Sequence, residues 1–102
     1  MVMIEFLLPT SDNAGQRFPR DEYERIRHEL TARFGGVTAF LRSPAAGLWT
    51  DDAGNLRHDE LAIFEVMTEK LDREWWRDYR EQLERRFRQD EVVMRATSIE
   101  RL

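Results

Sequence analysis

Seven residues of this 102-residue chain combine side chains and positions suited to binding another molecule. An arginine fork binds carboxylates and phosphates, a glutamate or histidine can exchange protons, and aromatic or thioether groups supply apolar contact. The candidate residues are Phe40, Arg42, Trp49, His58, Glu65, Met67 and Arg95. Because they are spread over half of the chain, the strands and helices that carry them decide which of them can meet.

The composition excludes several classes of protein. The chain has no cysteine, which excludes disulfides, thiolate catalysis and cysteine-based zinc sites, and its net charge of -4 disfavours a general nucleic-acid or membrane-surface binder. The apolar start of the chain is broken by Glu5 and lacks a basic region and a cleavage site, so we interpret it as a strand rather than a signal peptide. We expect a cytoplasmic protein without a metal or cofactor.

The basic residues are fifteen arginines and the single Lys70. This skew fits recognition of acidic ligands, but a coding bias toward arginine explains it as well and is the preferred interpretation. Acids and bases alternate along the predicted helices, which favours a solvated face over a basic patch. Because of the arginine content, a small acidic ligand is one expected partner.

Two segments have the periodicity of amphipathic helices. The first begins at about Pro19 and ends at Gly35-Gly36, and the second follows Asp72, a predicted N-cap. Their apolar stripes are Tyr23, Ile26, Leu30 and Phe34 in the first, and Trp76, Tyr79, Leu83 and Phe87 in the second.

Strand patterns surround these helices. The first strand covers Val2 to Leu8 and the last covers Glu91 to Ile99. The segment from Phe34 to Glu60 predicts a long bent hairpin, interrupted at Ser43-Pro44 and turning at residues 51–55, and the returning arm continues through residues 61–67.

The resulting order, βαββαβ in a single domain of residues 1–102, predicts an α+β fold of the ferredoxin-like type. In this plait a four-stranded antiparallel sheet, with its strands in the order 4-1-3-2 along the sheet, carries both helices on one face. The other face of the sheet has no helix, so it is the expected binding surface.

Strand alternation predicts which side chains lie on each face. The apolar set assigned to the helix side is Ile4, Phe6, Leu8, Ala39, Leu41, Phe64, Val66, Met94 and Ala96. The opposite set is mixed, and in it we expect Glu5 to meet Arg95 and Glu65 to meet Arg42 across neighbouring strands. Its apolar members are Phe40, Ile63, Met67, Val93 and Ile99, more than a solvated face needs.

Two functions fit this surface. The leading hypothesis is a module that binds another protein or forms a homodimer through the helix-free face. The alternative is a small-molecule-binding protein or enzyme of the dimeric α+β barrel type, with a pocket near Arg42, Trp49, His58 and Glu65. The second hypothesis rests on an analogy between folds.

The segments RFGGVTAF at residues 33–40, GLW at 47–49 and D-x-G at 52–54 also resemble a family of small bacterial proteins classed as a domain of unknown function. The resemblance spans nearly the whole chain and implies the same plait fold. Its motifs are turn and core residues, and it implies no activity, substrate or catalytic residue.

Overall fold

The computed structural model describes residues 1–42, 49–50, 56–57 and 60–102, with only the backbone described at 40–42, 49–50 and 56–57. Eight elements follow one another along the chain. They are β1 (Val2–Pro9), α1 (Arg20–Phe34), β2 (Thr38–Arg42), β3 (Trp49–Thr50), β4 (Leu56–Arg57), β5 (Leu61–Thr68), α2 (Arg73–Arg86) and β6 (Met94–Ser98).

Four of the strands form one antiparallel sheet in the order β2-β5-β1-β6. Counted along the chain, these are strands 2, 3, 1 and 4, so the predicted ferredoxin-like topology is confirmed. The short strands β3 and β4 form a separate two-stranded ribbon, in which Trp49 lies opposite Arg57 and Thr50 opposite Leu56. This register agrees with the predicted turn at 51–55, although the turn itself lies outside the described residues.

Local signals set the ends of both helices. Gly35, at φ 82°, takes the left-handed conformation that ends α1, and its N–H donates to the carbonyl of Thr31 at 2.8 Å. At the start of α2, the Asp72 carboxylate accepts a hydrogen bond from the N–H of Trp75 at 3.1 Å, as predicted for an N-cap. The N-cap of α1 is Pro19, which provides no side-chain acceptor.

The helices bury their apolar stripes against the central strands of the sheet. Phe6 and Phe64 lie directly opposite each other on β1 and β5, and their rings stack 5.1 Å apart. Trp76 and Tyr79 of α2 approach the Phe6 ring from the helix layer, with centroid distances of 6.4 and 6.3 Å. The side chains that are fully buried in the core are Phe6, Phe64, Phe87, Ile4, Leu8, Ile26, Leu30, Leu83 and Val66.

The predicted core is wrong at the two alanines on the edge strands. Ala39 on β2 and Ala96 on β6 lie on the helix side, as expected, but both are exposed. The two helices cover the central strands β1 and β5, and a methyl group on an edge strand is too short to reach them. Each edge of the sheet is consequently separated from its neighbouring helix by a cleft.

The last strand covers Met94–Ser98 and is shorter than the predicted Glu91 to Ile99. Val92 is buried in the core and its N–H donates to the Glu84 carboxylate at 3.0 Å, which keeps this residue out of the ladder. The carbonyl of Val93 accepts a hydrogen bond from the N–H of Leu7 at 3.1 Å, just ahead of the regular strand. None of the helices described is long and apolar enough to cross a membrane.

Candidate functional site

The face of the sheet opposite the helices, which we call the open sheet face, carries Glu5, Ile63, Glu65, Met67 and Arg95. Glu5 of β1 lies between Arg95 of β6 and Glu65 of β5 in the strand register. The guanidinium of Arg95 donates a hydrogen bond to the Glu5 carboxylate, so this half of the predicted charge ladder is confirmed.

The other half of the ladder is wrong. The register places Thr38 opposite Glu65, and Arg42 opposite Leu61, four residues further along β5. Four residues correspond to about 13 Å along a strand, so Arg42 and Glu65 are not cross-strand partners. The carboxylate that does lie opposite Glu65, on β1, belongs to Glu5.

The apolar patch predicted on this face is smaller than expected. Ile63 is only 3% exposed, although it does not belong to the helix-side core cluster. Met67 and Val93 are exposed, at 55% and 45%. The patch offered to a partner by the described side chains therefore depends on Met67 and Val93 rather than on Ile63.

Several predicted site residues stay predictions. The backbones of Phe40 and Arg42 lie in β2 and that of Trp49 in β3, but their side chains lie outside the described part of the structure. His58 lies outside it altogether. The predicted pocket near Arg42, Trp49, His58 and Glu65 is thus known only through Glu65, a half-buried residue of the open sheet face.

A basic cleft lies between α2 and the edge strand β6, with a cavity volume of about 250 Å³. We call it the arginine cleft. Its polar lining consists of Arg73, Arg77, Arg80 and Arg95, and its apolar lining of Ile4, Leu71, Trp76, Met94 and Ala96. No carboxylate residue belongs to either part of this lining.

The sequence positions these arginines by simple periodicity. Arg73, Arg77 and Arg80 occupy positions i, i+4 and i+7 of α2, which lie on one side of a helix. Arg95 belongs to the lining on the neighbouring edge strand, but its guanidinium lies on the open sheet face, where it bonds Glu5. Arg73 and Arg77 are exposed, so this side of α2 agrees with the predicted solvated face, and the i, i+4, i+7 spacing is the signal that shows the arginine stripe within it.

The four arginines differ in how far their charge is compensated. Arg95 bonds Glu5, and the Nε atom of Arg80 lies 3.9 Å from a Glu84 carboxylate oxygen. Among the described residues, no carboxylate lies within 4 Å of the guanidinium of Arg73 or Arg77. The cleft therefore has an excess of positive charge.

Two buried donors in the lining lack an acceptor. Trp76 is 4% exposed, and neither its Nε1 nor the Nε of Arg80 has a hydrogen-bond partner in the described part of the chain. A buried N–H without an acceptor costs about 1–3 kcal/mol. Because both nitrogen atoms are buried, a ligand in the open cleft does not contact them.

The cavity at the opposite edge of the sheet, between α1 and β2, is larger but less selective for charge. It encloses about 550 Å³ and has a mainly apolar lining that includes Tyr23, Ala39 and Phe64. Two arginines and two glutamates line it as well, and one such pair, Arg17 and Glu60, forms an ion pair at 3.3 Å. The hydroxyl of Tyr23 already donates to the carbonyl of Pro9 at 2.6 Å.

Metal chemistry has no evident site in the part of the chain that the structure describes. Within it, no group of three or more histidine, cysteine, aspartate or glutamate residues is placed to hold a metal ion. His28 is exposed on α1.

Comparison with known proteins shows the fold. No protein-family profile and no curated protein sequence matches the chain. A phage SAM lyase in complex with S-methyl-5'-thioadenosine has a similar structure, with a TM-score of 0.65 and 12% identity over 95% of this chain and 80% of that chain. The apo state of phage SAM lyase gives a TM-score of 0.62 at 12% identity, over 94% and 78% of the two chains. The chain is thus an α+β protein whose ferredoxin-like plait is shared with phage SAM lyase.

Proposed function

We propose that this protein binds a small acidic molecule in the arginine cleft. The observation that carries the proposal is the lining of the cleft, in which Arg73, Arg77 and Arg80 lie on one side of α2 and no carboxylate residue takes part. Arginine forms charge-assisted and often bidentate hydrogen bonds with carboxylates and phosphates. Such a ligand would supply the negative charge that the lining lacks.

The shape and lining of the cleft restrict the ligand. Its volume of about 250 Å³ lies just below the range of about 300–1,000 Å³ that is typical of small-molecule pockets. Ile4, Trp76 and Met94 contribute apolar surface, which suits a short hydrocarbon chain or a single ring beside the acidic group. The phage SAM lyase shows that a protein of this fold can hold a small molecule, S-methyl-5'-thioadenosine, and this supports the proposal only at the level of the fold.

Titration calorimetry with citrate, benzoate and glucose 6-phosphate tests the cleft. We expect Arg77→Gln to weaken binding of the best of these ligands by about tenfold or more, because hydrogen bonds to charged groups contribute about 1.5–3 kcal/mol. The matched control is Arg85→Gln, which removes an exposed arginine of the same helix that does not line the cleft. Equal affinity in the two variants, or no binding of any of these acids to the wild type, would contradict the proposal.

A second candidate function is self-association through the open sheet face. Met67 and Val93 are exposed apolar residues there, and the face contains both acidic and basic groups, so that two copies related by a twofold axis can offset each other's charges. The homodimer remains our preferred partner for this face. A cytoplasmic location remains a prediction.

Light scattering coupled to size-exclusion chromatography tests self-association. If the open sheet face joins two copies, Met67→Glu should convert the dimer to a monomer, because a carboxylate would be buried in an apolar contact. Gln82→Glu adds the same charge at an exposed position of α2 and should leave the dimer intact. A monomeric wild type over the whole accessible concentration range would exclude this function.

A further inference from the structure

The strand β6 forms an open edge of the four-stranded sheet. In the order β2-β5-β1-β6 it pairs with β1 on one side, and no strand in the described part of the chain lies on its other side. The residues of β6 after Met94 are all exposed. Met94 and Ala96 also line the arginine cleft. An edge strand that is left open in this way can pair with a strand of another molecule.

The hydrogen bonds to β1 determine which backbone groups of β6 point outward. The N–H of Leu7 donates to the carbonyl of Val93 at 3.1 Å. In an antiparallel ladder such bonds recur at every second residue, so Val93 and every second residue after it face β1 in the observed register. The N–H and carbonyl groups of the alternate residues, Met94, Ala96 and Ser98, therefore point away from the sheet.

These outward groups are accessible, unlike the buried nitrogen atoms of Trp76 and Arg80. Ala96 and Ser98 are exposed residues, and no backbone group of the described residues bonds the outward side of β6. From Met94 to Ser98 the edge offers a donor and an acceptor at every second residue, over about 14 Å. This is the hydrogen-bonding pattern that an added antiparallel strand requires.

Two exposed arginines of α2 border the same edge. Arg73 and Arg77 line the cleft together with Met94 and Ala96, and no carboxylate of the described residues lies within 4 Å of either guanidinium. Residues four apart on a helix are separated by about 6 Å along its axis, and alternate residues of a strand by about 6.8 Å. Successive helix-side residues of an added strand therefore have nearly the same spacing as the two arginines.

The charge of these arginines determines which kind of strand fits. Residues directly opposite each other in an antiparallel pair lie on the same face, so added residues opposite Met94 and Ala96 face the arginine cleft. The sequence of β6 contains Arg95 and no acidic residue. A second copy paired through its own β6 would supply no carboxylate and would bring its arginines toward those of the first copy, which is unfavourable. An acidic segment of a different protein is the occupant that fits.

We propose that β6 binds an extended acidic segment of a partner protein as an additional antiparallel strand. The segment carries glutamate or aspartate opposite Met94 and Ala96, and these carboxylates bind Arg73 and Arg77. Its backbone bonds the outward groups of β6. The inference rests on the recognition of acidic groups by the arginine cleft proposed above, and it adds the chain that carries those groups.

Fluorescence polarisation with a short labelled peptide of alternating glutamate and threonine tests the proposal. At low ionic strength we expect the glutamate peptide to bind, and its glutamine analogue to bind at least tenfold more weakly, because several ion pairs are lost together. N-methylation of the glutamates should also weaken binding at least tenfold, since their N–H groups face β6 in an antiparallel pair. N-methylation of the threonines is the matched control and should change the affinity less than about twofold, because their N–H groups point away from β6.

A substitution in β6 tests the same ladder from the side of the protein. Ala96→Pro removes an outward N–H and places the proline ring at the open edge, while the hydrogen bonds to β1 are kept, as is usual for proline on edge strands. We expect it to weaken binding of the glutamate peptide at least tenfold. Arg77→Gln should weaken it about fivefold, and Arg85→Gln should leave it unchanged.

The outcomes separate this proposal from the function proposed above. No binding of the glutamate peptide, or equal affinities of the two N-methylated peptides, would overturn strand addition even if small acids bind the cleft. Binding of the glutamate peptide that depends on the N-methylated position would support strand addition even if no small acid binds. If Ala96→Pro does not fold, the peptide comparison decides, because it leaves the protein unchanged. A wild-type dimer that Ala96→Pro dissociates and Met67→Glu does not would identify a second copy as the occupant and overturn the proposal.

Discussion

The two faces of the four-stranded sheet are built from alternate residues of the same strands, yet they differ in almost every physical respect. On the helix side, Phe6 and Phe64 stack on each other beneath Trp76 and Tyr79, and all four are buried. On the open sheet face, the next register position places Glu5 opposite Glu65. Like charges directly opposite each other are unfavourable in a sheet.

The difference indicates that stability and recognition are separated in this protein. The helix side contains the aromatic core and supplies most of the hydrophobic stabilisation. The open sheet face and the arginine cleft contain charged groups that stabilise the fold little, and they are the surfaces that we propose for binding. A substitution should therefore affect mainly stability or mainly binding, according to whether it changes the buried core or one of these charged surfaces.

The largest expected effect is the difference in stability between two substitutions in β5. Phe64→Ala should lower the free energy of unfolding by about 3–5 kcal/mol, because it removes a fully buried ring and leaves a cavity. Met67→Ala, three residues along β5 and on the open sheet face, should change it by about 0.5 kcal/mol or less. Urea denaturation measures the free energy of unfolding of both variants. Similar losses in the two would contradict the inferred difference between the two faces of the sheet.

A smaller loss of stability is expected from a substitution where α1 contacts the end of β1. Tyr23→Phe removes the hydrogen bond from the Tyr23 hydroxyl to the carbonyl of Pro9 and should cost about 1 kcal/mol at neutral pH. Chemical denaturation at pH 7 measures it. No loss of stability would mean that this contact does not help to hold α1 on the sheet.

The same tyrosine also predicts a dependence on alkaline pH. Burial raises the pKa of Tyr23 to about 12 from its ordinary value of 10, so the folded state favours the neutral hydroxyl. Its contribution to stability is complete below pH 10 and is lost as the pH rises toward 12, because the unfolded chain ionises first. Between pH 9 and about 11.5 the wild type should therefore lose more stability than Tyr23→Phe. Equal losses would contradict the raised pKa.

The smallest contribution to stability is expected from the ion pair on the open sheet face. A double-mutant cycle of Glu5→Gln and Arg95→Gln should give a coupling of about 0.2–1 kcal/mol, the usual range for exposed ion pairs. The Arg95 side chain is 61% exposed and that of Glu5 23%, so about 1 M sodium chloride should reduce this coupling. A coupling above about 2 kcal/mol would show that this pair is as important to stability as a core contact.

Much of the fold was predictable because its signals are local. The αL-capable Gly35 marks the end of α1, the Asp72 carboxylate caps α2, and the apolar periods define the helix stripes. These features depend on residues a few positions apart. The order of elements then restricts the topology to very few arrangements, and the observed sheet agrees with the plait expected from that order.

The candidate site was less predictable because it depends on residues far apart in the sequence. Arg73, Arg77 and Arg80 have a readable helical spacing, but Met94 and Ala96 join them in one cleft only because β6 lies beside α2. Which backbone groups of β6 point away from the sheet likewise depends on its register with β1. Neither arrangement follows from composition or from charge alternation along one helix.

The element order and the helix ends follow from local patterns of the sequence. So does the face on which each described strand residue lies, because backbone geometry alternates side chains with a fixed period. The tertiary structure decided the register, which pairs Glu65 with Thr38 rather than Arg42, and the burial of Ile63. It also decided which arginines line a common cleft. These properties depend on how α2 and the strands pack against one another, and packing distances between remote residues are not encoded in any local pattern.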